Sequence, residues 1–221
     1  MPNKKYNRSI ITLNNLRHEY NLNKLSEETI RKNPFRQFEF WFRQVIKLKL
    51  TEPNAMVLAT TDKKAKPSAR IVLLKDLSKD GFVFFTNYKS SKGRSLTENP
   101  EASLLFYWAE LERQIRVEGK VKKISRTESQ KYFDTRPLES RIAAWASEQS
   151  EVIPDREYLE QKFLYFKEKF RGKKIPIPPY WGGFVLVPDY FEFWQGRENR
   201  LHDRICFKKM KSGWNIFRRA P

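Results

Sequence analysis

The chain has 221 residues, with 44 lysines and arginines against 26 aspartates and glutamates, and its formal net charge is +18. Its 39% of hydrophobic and 14% of aromatic residues exclude a disordered polar chain, and the length suits one domain with a buried core. One cysteine excludes an internal disulfide, two histidines leave no metal-ligand spacing, and no apolar run reaches the roughly 18 residues of a membrane span, so we expect a cytoplasmic protein without a metal site.

The N-terminal region is predicted to be an arm followed by a helix. Residues 1–32 are polar with scattered apolar positions, and we interpret them as a loosely held arm before a single domain over residues 33–221. A helix should begin at Asn33-Pro34, a capping residue followed by proline at the first helical position, and end near Thr51. Its predicted apolar stripe is Phe35, Phe38, Phe42, Val45 and Ile46.

The remainder of the chain is dominated by short apolar and β-branched runs between turn signals. Strands are predicted at 55–60, 69–75, 81–86, 102–108, 113–124, 183–188, 190–195, 203–209 and 213–218. Two helices interrupt them, one from the capping box at Ser125 to Pro137 and one from near Asp155 to Gly172. Close strand spacing leaves little room for crossover helices, so we predict an α+β fold, mainly antiparallel β, closed as a barrel.

Two groups of polar residues are candidates for binding a phosphate. Arg70 and Lys75 bracket the second predicted strand, and they either extend from the surface or mark strand ends where an anion binds. Tyr132 and Arg136 are four residues apart and share a helix face, with Ser140 just beyond. A phenol, a guanidinium and a hydroxyl suit a phosphate monoester, although such residues more often form a solvated surface.

Other candidates lie in the second half of the chain. Gln114 lies on the polar face of an alternating strand, where it is either exposed or meets a heteroaromatic ring edge. The stretch from Trp145 to Ser150 is a turn-capping cluster or part of a pocket. The stretch from Trp194 to Arg204 is dense in aromatic and cationic residues, which favours an anion or electron-poor ring site over a structural histidine.

Several ordered motifs together resemble the pyridoxamine 5′-phosphate oxidase family. They are Arg70-Ile-Val-Leu-Leu-Lys75, Glu112-Arg-Gln114-Ile-Arg-Val-Glu-Gly119, Tyr132-Phe-x-x-Arg136-Pro, Ala144-Trp-Ala-Ser-x-Gln149-Ser150, Tyr180-Trp-Gly-Gly183, Glu192-Phe-Trp-Gln-Gly196, Arg200-Leu-His-Asp-Arg204 and Arg219-Ala-Pro221. The resemblance extends from about Arg17 to Pro221.

The resemblance implies a homodimeric enzyme of the FMN-binding split-barrel fold, with flavin mononucleotide (FMN) held between the subunits. Such an enzyme oxidises pyridoxamine or pyridoxine 5′-phosphate with O2 to pyridoxal 5′-phosphate, releasing H2O2 and, from the amine, ammonia. Carried over by position, the cofactor residues are Arg70, Ile71, Val72, Leu73, Leu74, Lys75, Phe85, Thr86, Ser91, Lys92, Gln114, Gln149, Ser150, Trp194 and Arg204. The substrate residues are Arg17, Tyr20, Lys75, Tyr132, Arg136, Ser140, Arg200, Leu201 and His202.

Within this set the resemblance assigns further roles. Arg200 and His202 would face the pyridine ring as the catalytic pair, and Arg17 and Tyr20 would belong to a lid. The physical properties of the residues agree with two cationic cradles, Arg70 with Lys92 and Lys75 with Arg136, for two phosphorylated ligands.

The sequence departs from the family pattern at three positions. Ser91 stands where arginine is usual, which weakens the hold on the flavin phosphate unless Arg94 or another cation substitutes. Ala143 stands where glycine is usual and is expected to shift that backbone slightly. His18 stands where arginine is common and is expected to affect only the lid.

Two alternatives to an oxidase stay open on the sequence alone. One is a basic nucleic-acid-binding barrel that uses its aromatic residues for stacking, and the other is a flavin or pyridoxal-phosphate carrier without turnover. Most aromatic residues lie on helix stripes or in strand cores, so we expect neither a nucleic-acid nor a membrane partner. Six of the 44 cations have a proposed role, and most of the charge is interpreted as solvated surface.

Overall fold

The computed structural model describes residues 18–78 and 80–221, so the prediction for Arg17 lies outside the described residues. The helices are α1 (Pro34–Lys47), α2 (Ser91–Glu98), α3 (Arg126–Thr135), α4 (Leu138–Ala146) and α5 (Arg156–Lys169). The strands are β1 (Ala55–Thr61), β2 (Pro67–Leu73), β3 (Asp76–Ser78), β4 (Gly81–Asn87), β5 (Glu101–Trp108), β6 (Arg113–Lys123), β7 (Trp181–Gln195), β8 (Asp203–Lys209) and β9 (Trp214–Arg218).

The strands form one curled antiparallel sheet, as the sequence predicts. Its order is β2-β1-β5-β6-β7-β4-β3, and β8 pairs with both β7 and β9. The first half of β7 pairs with β4 and its second half with β8, while β6 runs beside both halves. The long strand β7 therefore joins the two halves of the sheet.

The prediction of two separate strands at 183–188 and 190–195 is wrong, because β7 continues through Pro188. The partner strand β6 absorbs the irregularity with a bulge between Glu118 and Gly119. A Cβ on Gly119 would lie 2.2 Å from the carbonyl oxygen of Val187, so only glycine allows this close approach of the two strands.

Helix α1 covers the main core. Asn33 caps it as predicted, accepting hydrogen bonds from the two following amides of the first turn, and Phe38, Trp41 and Val45 are buried. Ile46 was assigned to the buried stripe, but it is 52% exposed, and Trp41 takes the buried position instead. The helix ends at Lys47 rather than near Thr51, because Lys49 adopts a left-handed backbone conformation with φ of 54°.

The other helices are partly as predicted. The capping box at Ser125 opens α3, which ends at Thr135 before Pro137, and Asp155 caps α5. Helices α2 and α4 were not predicted, and β2 begins and ends two residues earlier than expected. Helix α4 contacts α5 and contributes Ile142 to a second hydrophobic cluster.

The described part of the predicted arm is attached more firmly than expected. Leu25 and Ile30 are buried in the main core, and the Leu25 amide donates a hydrogen bond to Asp203. Arg218 in β9 holds the same segment through the Leu25 carbonyl and the Glu27 carboxylate. Separately, none of the helices within residues 18–221 that the structure describes has the length and apolar character needed to span a membrane.

Candidate active site

A cavity of about 380 Å³ opens between β2, β4 and the helices α2, α3 and α4. The predicted site residues that line it are Ile71, Val72, Leu73, Lys75, Phe85, Thr86, Lys92, Tyr132, Arg136 and Gln149. The lining contains three cations, Lys75, Lys92 and Arg136, and no acidic side chain. A cavity with this charge favours an anionic ligand.

Lys92 forms one end of the cavity, at the junction of β4 and α2. Ser90 caps α2 by accepting a hydrogen bond from the Gly93 amide, which fixes the first turn that carries Lys92. The Lys92 ammonium lies 3.3 Å from both Thr86 Oγ1 and Gln149 Oε1. Burial, and to a lesser extent the charge of Arg70, lowers the pKa of Lys92, as expected where two cations approach a common anion site.

Arg70 supports this end of the cavity from β2. Its guanidinium donates hydrogen bonds to the carbonyl of Leu58, to Thr60 Oγ1 and to Ser68 Oγ, and burial lowers its pKa. Leu74, which was predicted among the cofactor residues, is buried in the main core, so only its backbone can face a ligand. The strand 71–73 between them supplies the cavity wall.

Arg136 forms the opposite end, directly after α3. Its guanidinium carbon lies 4.8 Å from the ring centroid of Trp181 and 5.7 Å from that of Phe133. Burial lowers the pKa of Arg136, although a guanidinium stays charged at any ordinary pH. Its Nη1 atom is buried without a hydrogen-bond partner. A buried unpaired donor in a cavity without acidic groups fits the oxygen of an anionic ligand.

Three aromatic rings form a flat wall beside Arg136. The ring of Phe85 stacks on Tyr132 with centroids 3.9 Å apart, and on Trp181 at 5.4 Å with an interplanar angle of 12°. The sequence motif around Trp181 was recognised, but the residue itself was not assigned to the site. Asn87 and Ala144 line the cavity without having been assigned to the site, and Ser147 lies in the stretch from Trp145 to Ser150 for which a pocket was one of two alternatives. Ala143, which stands where the family usually has glycine, lines the cavity as well.

A second group of predicted residues lies on the outer face of the sheet. Gln114 is paired with Trp194, and Trp194 with Arg204, so the three form a row across β6, β7 and β8. The adjacent row of Ile115, Phe193 and Ile205 is fully buried in the core, which places the first row on the opposite face. None of the three residues of this outer row lines the cavity.

His202 extends the outer row and is enclosed by aromatic rings. Its ring centroid lies 4.7 Å from that of Trp194 and 5.5 Å from that of Tyr20. The Arg197 amide donates a hydrogen bond to His202 Nδ1 at 3.1 Å, so the neutral imidazole carries its proton on Nε2. Burial and the charge of Arg200 lower the pKa of His202, which favours this neutral form.

The remaining predicted residues are less enclosed. Arg200 and Leu201 are exposed on the turn before β8, and Ser91 and Ser150 are exposed at the starts of their segments. Ser140 is half-buried on α4 but does not line the cavity. None of these five residues lines the cavity, although Ser91 and Ser150 adjoin Lys92 and Gln149, which meet at one end of it.

Arg94, the cation named as a possible substitute at the Ser91 position, is engaged elsewhere. Arg94 donates hydrogen bonds to the Glu151 carboxylate at 2.7 Å and to the Lys89 carbonyl, and it lines a different surface groove. Arg94 does not line the cavity, so we expect it not to replace a cation at Ser91.

The sequence matches the family described as Pyridoxamine 5′-phosphate oxidase over residues 42–170, and the Pyridoxine 5′-phosphate oxidase C-terminal dimerisation region over residues 181–221. Curated relatives named pyridoxine/pyridoxamine 5′-phosphate oxidase include one from Cyanothece sp. (strain PCC 7425 / ATCC 29141), 50% identical over 96% of this chain and 99% of the relative. Another, from Nostoc punctiforme (strain ATCC 29133 / PCC 73102), is 54% identical over 95% of this chain and 99% of its own.

Solved structures with a similar fold include PhzG from Burkholderia lata 383 in complex with tetrahydrophenazine-1-carboxylic acid. It is 28% identical, with a TM-score of 0.85, over 90% of this chain and 99% of its own. A pyridoxamine 5′-phosphate oxidase-related, FMN-binding protein from Nostoc punctiforme PCC 73102 is 16% identical, with a TM-score of 0.68, over 87% of this chain and 100% of its own. The predicted split-barrel fold is confirmed by these similarities.

Proposed function

The chain belongs to the pyridoxamine 5′-phosphate oxidase family, and we propose that it oxidises pyridoxamine or pyridoxine 5′-phosphate to pyridoxal 5′-phosphate with FMN as cofactor. O2 is the electron acceptor and is reduced to H2O2, and water releases ammonia when the amine is the substrate. The observation that carries this proposal is the cavity with three cations, an unpaired buried guanidinium donor and no acidic lining residue.

The two ends of the cavity fit two phosphate monoesters. Lys92, with Thr86 beside it and the charge of Arg70 of β2 close by, would hold the phosphate of FMN. Arg136 and Lys75 would hold the phosphate of the substrate. When bound, the flavin supplies the redox chemistry by taking two electrons from the substrate and passing them to O2.

The side chains of the protein would bind and orient the substrate and the flavin, and none of them would form a covalent bond with the substrate. The stacked wall of Phe85, Tyr132 and Trp181 excludes water from one side of the cavity. The neutral His202 would donate from Nε2 toward the pyridine ring, beside Arg200. Orientation of this kind accounts for a large part of the rate in reactions where a cofactor supplies the chemistry.

We further propose that the active unit is a homodimer. The dimerisation region covers β7, β8 and β9, and it includes Trp194 and Arg204 on the outer face of the sheet and His202 just before β8. These residues do not line the cavity of their own chain. In a symmetric dimer the outer row of one subunit would complete the cavity of its partner, with FMN at the interface.

The experiment is to purify the protein, record its flavin absorbance, and measure pyridoxal 5′-phosphate and H2O2 formed from pyridoxine 5′-phosphate. We expect both products in equal amounts. Retention of flavin without either product would contradict the proposal and favour a carrier. Oxidation of a reduced phenazine carboxylic acid in preference to the B6 vitamers would favour the chemistry of PhzG instead. The cytoplasmic location and the absence of a nucleic-acid partner stay predictions.

A further inference from the structure

The guanidinium of Arg136 has to be held in place by something other than a carboxylate. It follows directly after α3, and no ion pair in the described part of the chain includes it. Its contacts are instead with the faces of Trp181 and Phe133, and Trp181 is the nearer by about 1 Å. A guanidinium over an indole face is the most favourable cation–π geometry in proteins.

Trp181 is rigid enough to serve as a support. It is the first residue of β7, it is 7% exposed, and it is paired with Asn87 of β4. Its carbonyl accepts a hydrogen bond from Arg126 Nη1 at 2.8 Å. Its ring is fixed between the stacked ring of Phe85 and the edge contact of Phe133. The plane of the indole is therefore set by the strand and by the packed rings.

An aromatic support has a different consequence from an acidic one. A carboxylate beside Arg136 would neutralise its charge and occupy its donors, and so would compete with a phosphate. The face of Trp181 holds the guanidinium without accepting its N–H groups. Arg136 lines the cavity, and its Nη1 is buried without a hydrogen-bond partner. The cation is thereby oriented in advance while its donors stay free for a ligand.

We propose that Trp181 is a positioning residue that holds the Arg136 guanidinium, through its indole face, in the orientation that binds the substrate phosphate. This inference rests on the proposed function. It adds a residue outside the set assigned from sequence, and it predicts that the contribution of Trp181 to phosphate binding depends on Arg136.

The test compares Trp181→Met, which fills volume without a π face, with Trp181→Phe, which keeps one. We expect Trp181→Met to raise the KM for pyridoxine 5′-phosphate and the inhibition constant of inorganic phosphate by roughly 3- to 30-fold, a larger change than in kcat or in flavin affinity. Trp181→Phe should raise them by less than about 3-fold. Trp145→Met is the matched control, because Trp145 lies in the same cluster without contacting Arg136.

The coupling to Arg136 separates positioning from a general packing effect. In an Arg136→Ala background, Trp181→Met should add less than about 2-fold to either constant. An equal rise in both backgrounds, or an equal rise in Trp145→Met, would overturn the proposal. If Trp181→Met does not fold, Trp181→Leu replaces it. If neither folds, the coupling of Trp181→Phe to Arg136→Ala decides, and a rise that persists without Arg136 overturns the proposal.

The proposed function can fail independently of this inference. If the wild-type protein does not oxidise pyridoxine 5′-phosphate, the binding of inorganic phosphate is measured by calorimetry on the same variants. A loss of phosphate affinity in Trp181→Met that vanishes in the Arg136→Ala background would still support the positioning role. Unchanged phosphate affinity in Trp181→Met would overturn it.

Discussion

Glu192 Oε2 lies 2.8 Å from Arg204 Nη2, across the pairing of β7 with β8. The same oxygen accepts hydrogen bonds from Arg116 at 3.0 Å and from the Tyr190 hydroxyl at 3.3 Å, and the Glu192 side chain is 3% exposed. Burial acts to raise the pKa of Glu192, but the hydrogen bond from Arg204 and the two arginine charges outweigh it and lower the pKa. One carboxylate therefore pairs with two arginines on the outer face and holds Arg204 on the strand next to Trp194.

Glu192→Gln should lower the free energy of unfolding by about 1–3 kcal/mol, because the neutral amide leaves Arg204 without its carboxylate partner and Arg116 with only the more exposed Glu118. Flavin affinity should also fall, since Arg204 loses the group that orients it. Urea denaturation and flavin titration measure the two effects. Glu118→Gln is the control, because Glu118 is 41% exposed and pairs with Arg116 at 3.3 Å, and it should change stability by less than about 0.5 kcal/mol. If Glu118→Gln lowered stability and flavin affinity as much as Glu192→Gln, the proposal that Glu192 orients Arg204 would be wrong.

Lys92→Ala should weaken flavin binding by about 10- to 150-fold, the equivalent of one charged hydrogen bond of roughly 1.5–3 kcal/mol. The reason is that Lys92 is the cation of the cavity end formed with Thr86 and Gln149. At saturating flavin, the KM for the substrate should stay within about 2-fold of wild type, because Arg136 lies at the other end. Lys89→Ala serves as the control, since Lys89 is exposed and does not line the cavity. If Lys89→Ala lost as much flavin affinity as Lys92→Ala, the effect would come from the overall positive charge of the protein and not from the position of Lys92 in the cavity.

The sequence predicts those features that depend on local alternation and capping. Strand β6 alternates with a period of two, so the inward position of Ile115 and the outward position of Gln114 follow directly from residue order. Helix α2 was missed because Ser91 and Gly93 are weak helix formers, and its stability comes from the Ser90 cap and the burial of Leu96.

Features set by distant parts of the chain could not be predicted in this way. The break predicted between residues 188 and 190 does not occur, and the bulge at Gly119 that accommodates Pro188 lies in another strand. The motifs containing Trp181 and Trp194 are close in sequence, yet only Trp181 lines the cavity. The path of β7 across both halves of the sheet separates the two residues, and only the tertiary structure shows it.

Ser91→Arg should strengthen flavin binding by about 10-fold, because it would place a cation in the first turn of α2, next to Lys92. Arg94→Ala should leave flavin affinity within about 2-fold of wild type, since Arg94 is already paired with Glu151 outside the cavity. Fluorescence titration of apoprotein with FMN measures both variants. A large loss of affinity in Arg94→Ala would show that this residue does compensate for Ser91.

Arg136→Ala should raise the KM for pyridoxine 5′-phosphate by about 10- to 150-fold with little change in flavin affinity. The effect should disappear with pyridoxine, which lacks the phosphate that the buried Nη1 donor is expected to bind. Steady-state kinetics with the two substrates give this comparison directly. A similar loss with both substrates would place Arg136 against the ring rather than the phosphate. Arg171→Ala is a suitable control, because Arg171 is exposed and paired with Glu168.

His202 should act as a neutral hydrogen-bond donor, so both stability and kcat/KM should fall when the imidazole becomes protonated at acid pH. Burial and the charge of Arg200 lower its pKa from the usual value of about 6.5, so the imidazole is neutral at pH 7 and above. In the unfolded chain His202 has its usual pKa of about 6.5, so as the pH falls the unfolded state binds a proton at His202 before the folded state does. The free energy of unfolding therefore declines between about pH 6.5 and the lower pKa of His202 in the folded chain, and stays constant below that. Protonation of Nδ1 also breaks the hydrogen bond from the Arg197 amide.

We therefore expect kcat/KM to be independent of His202 ionisation from pH 7 to 9 and to fall on the acid side with an apparent pKa below about 6.5. His202→Asn keeps an acceptor for the Arg197 amide but does not titrate in this range, so it should lose the acid limb. It should also lower kcat/KM at pH 8 by about 10-fold, since the Nε2 donor is gone. Rates measured from pH 5 to 9 in both proteins, with folding followed by circular dichroism, separate catalysis from stability. An acid limb that persists unchanged in His202→Asn would assign the titration to another group, and an unchanged kcat/KM at pH 8 would contradict the neutral-donor role.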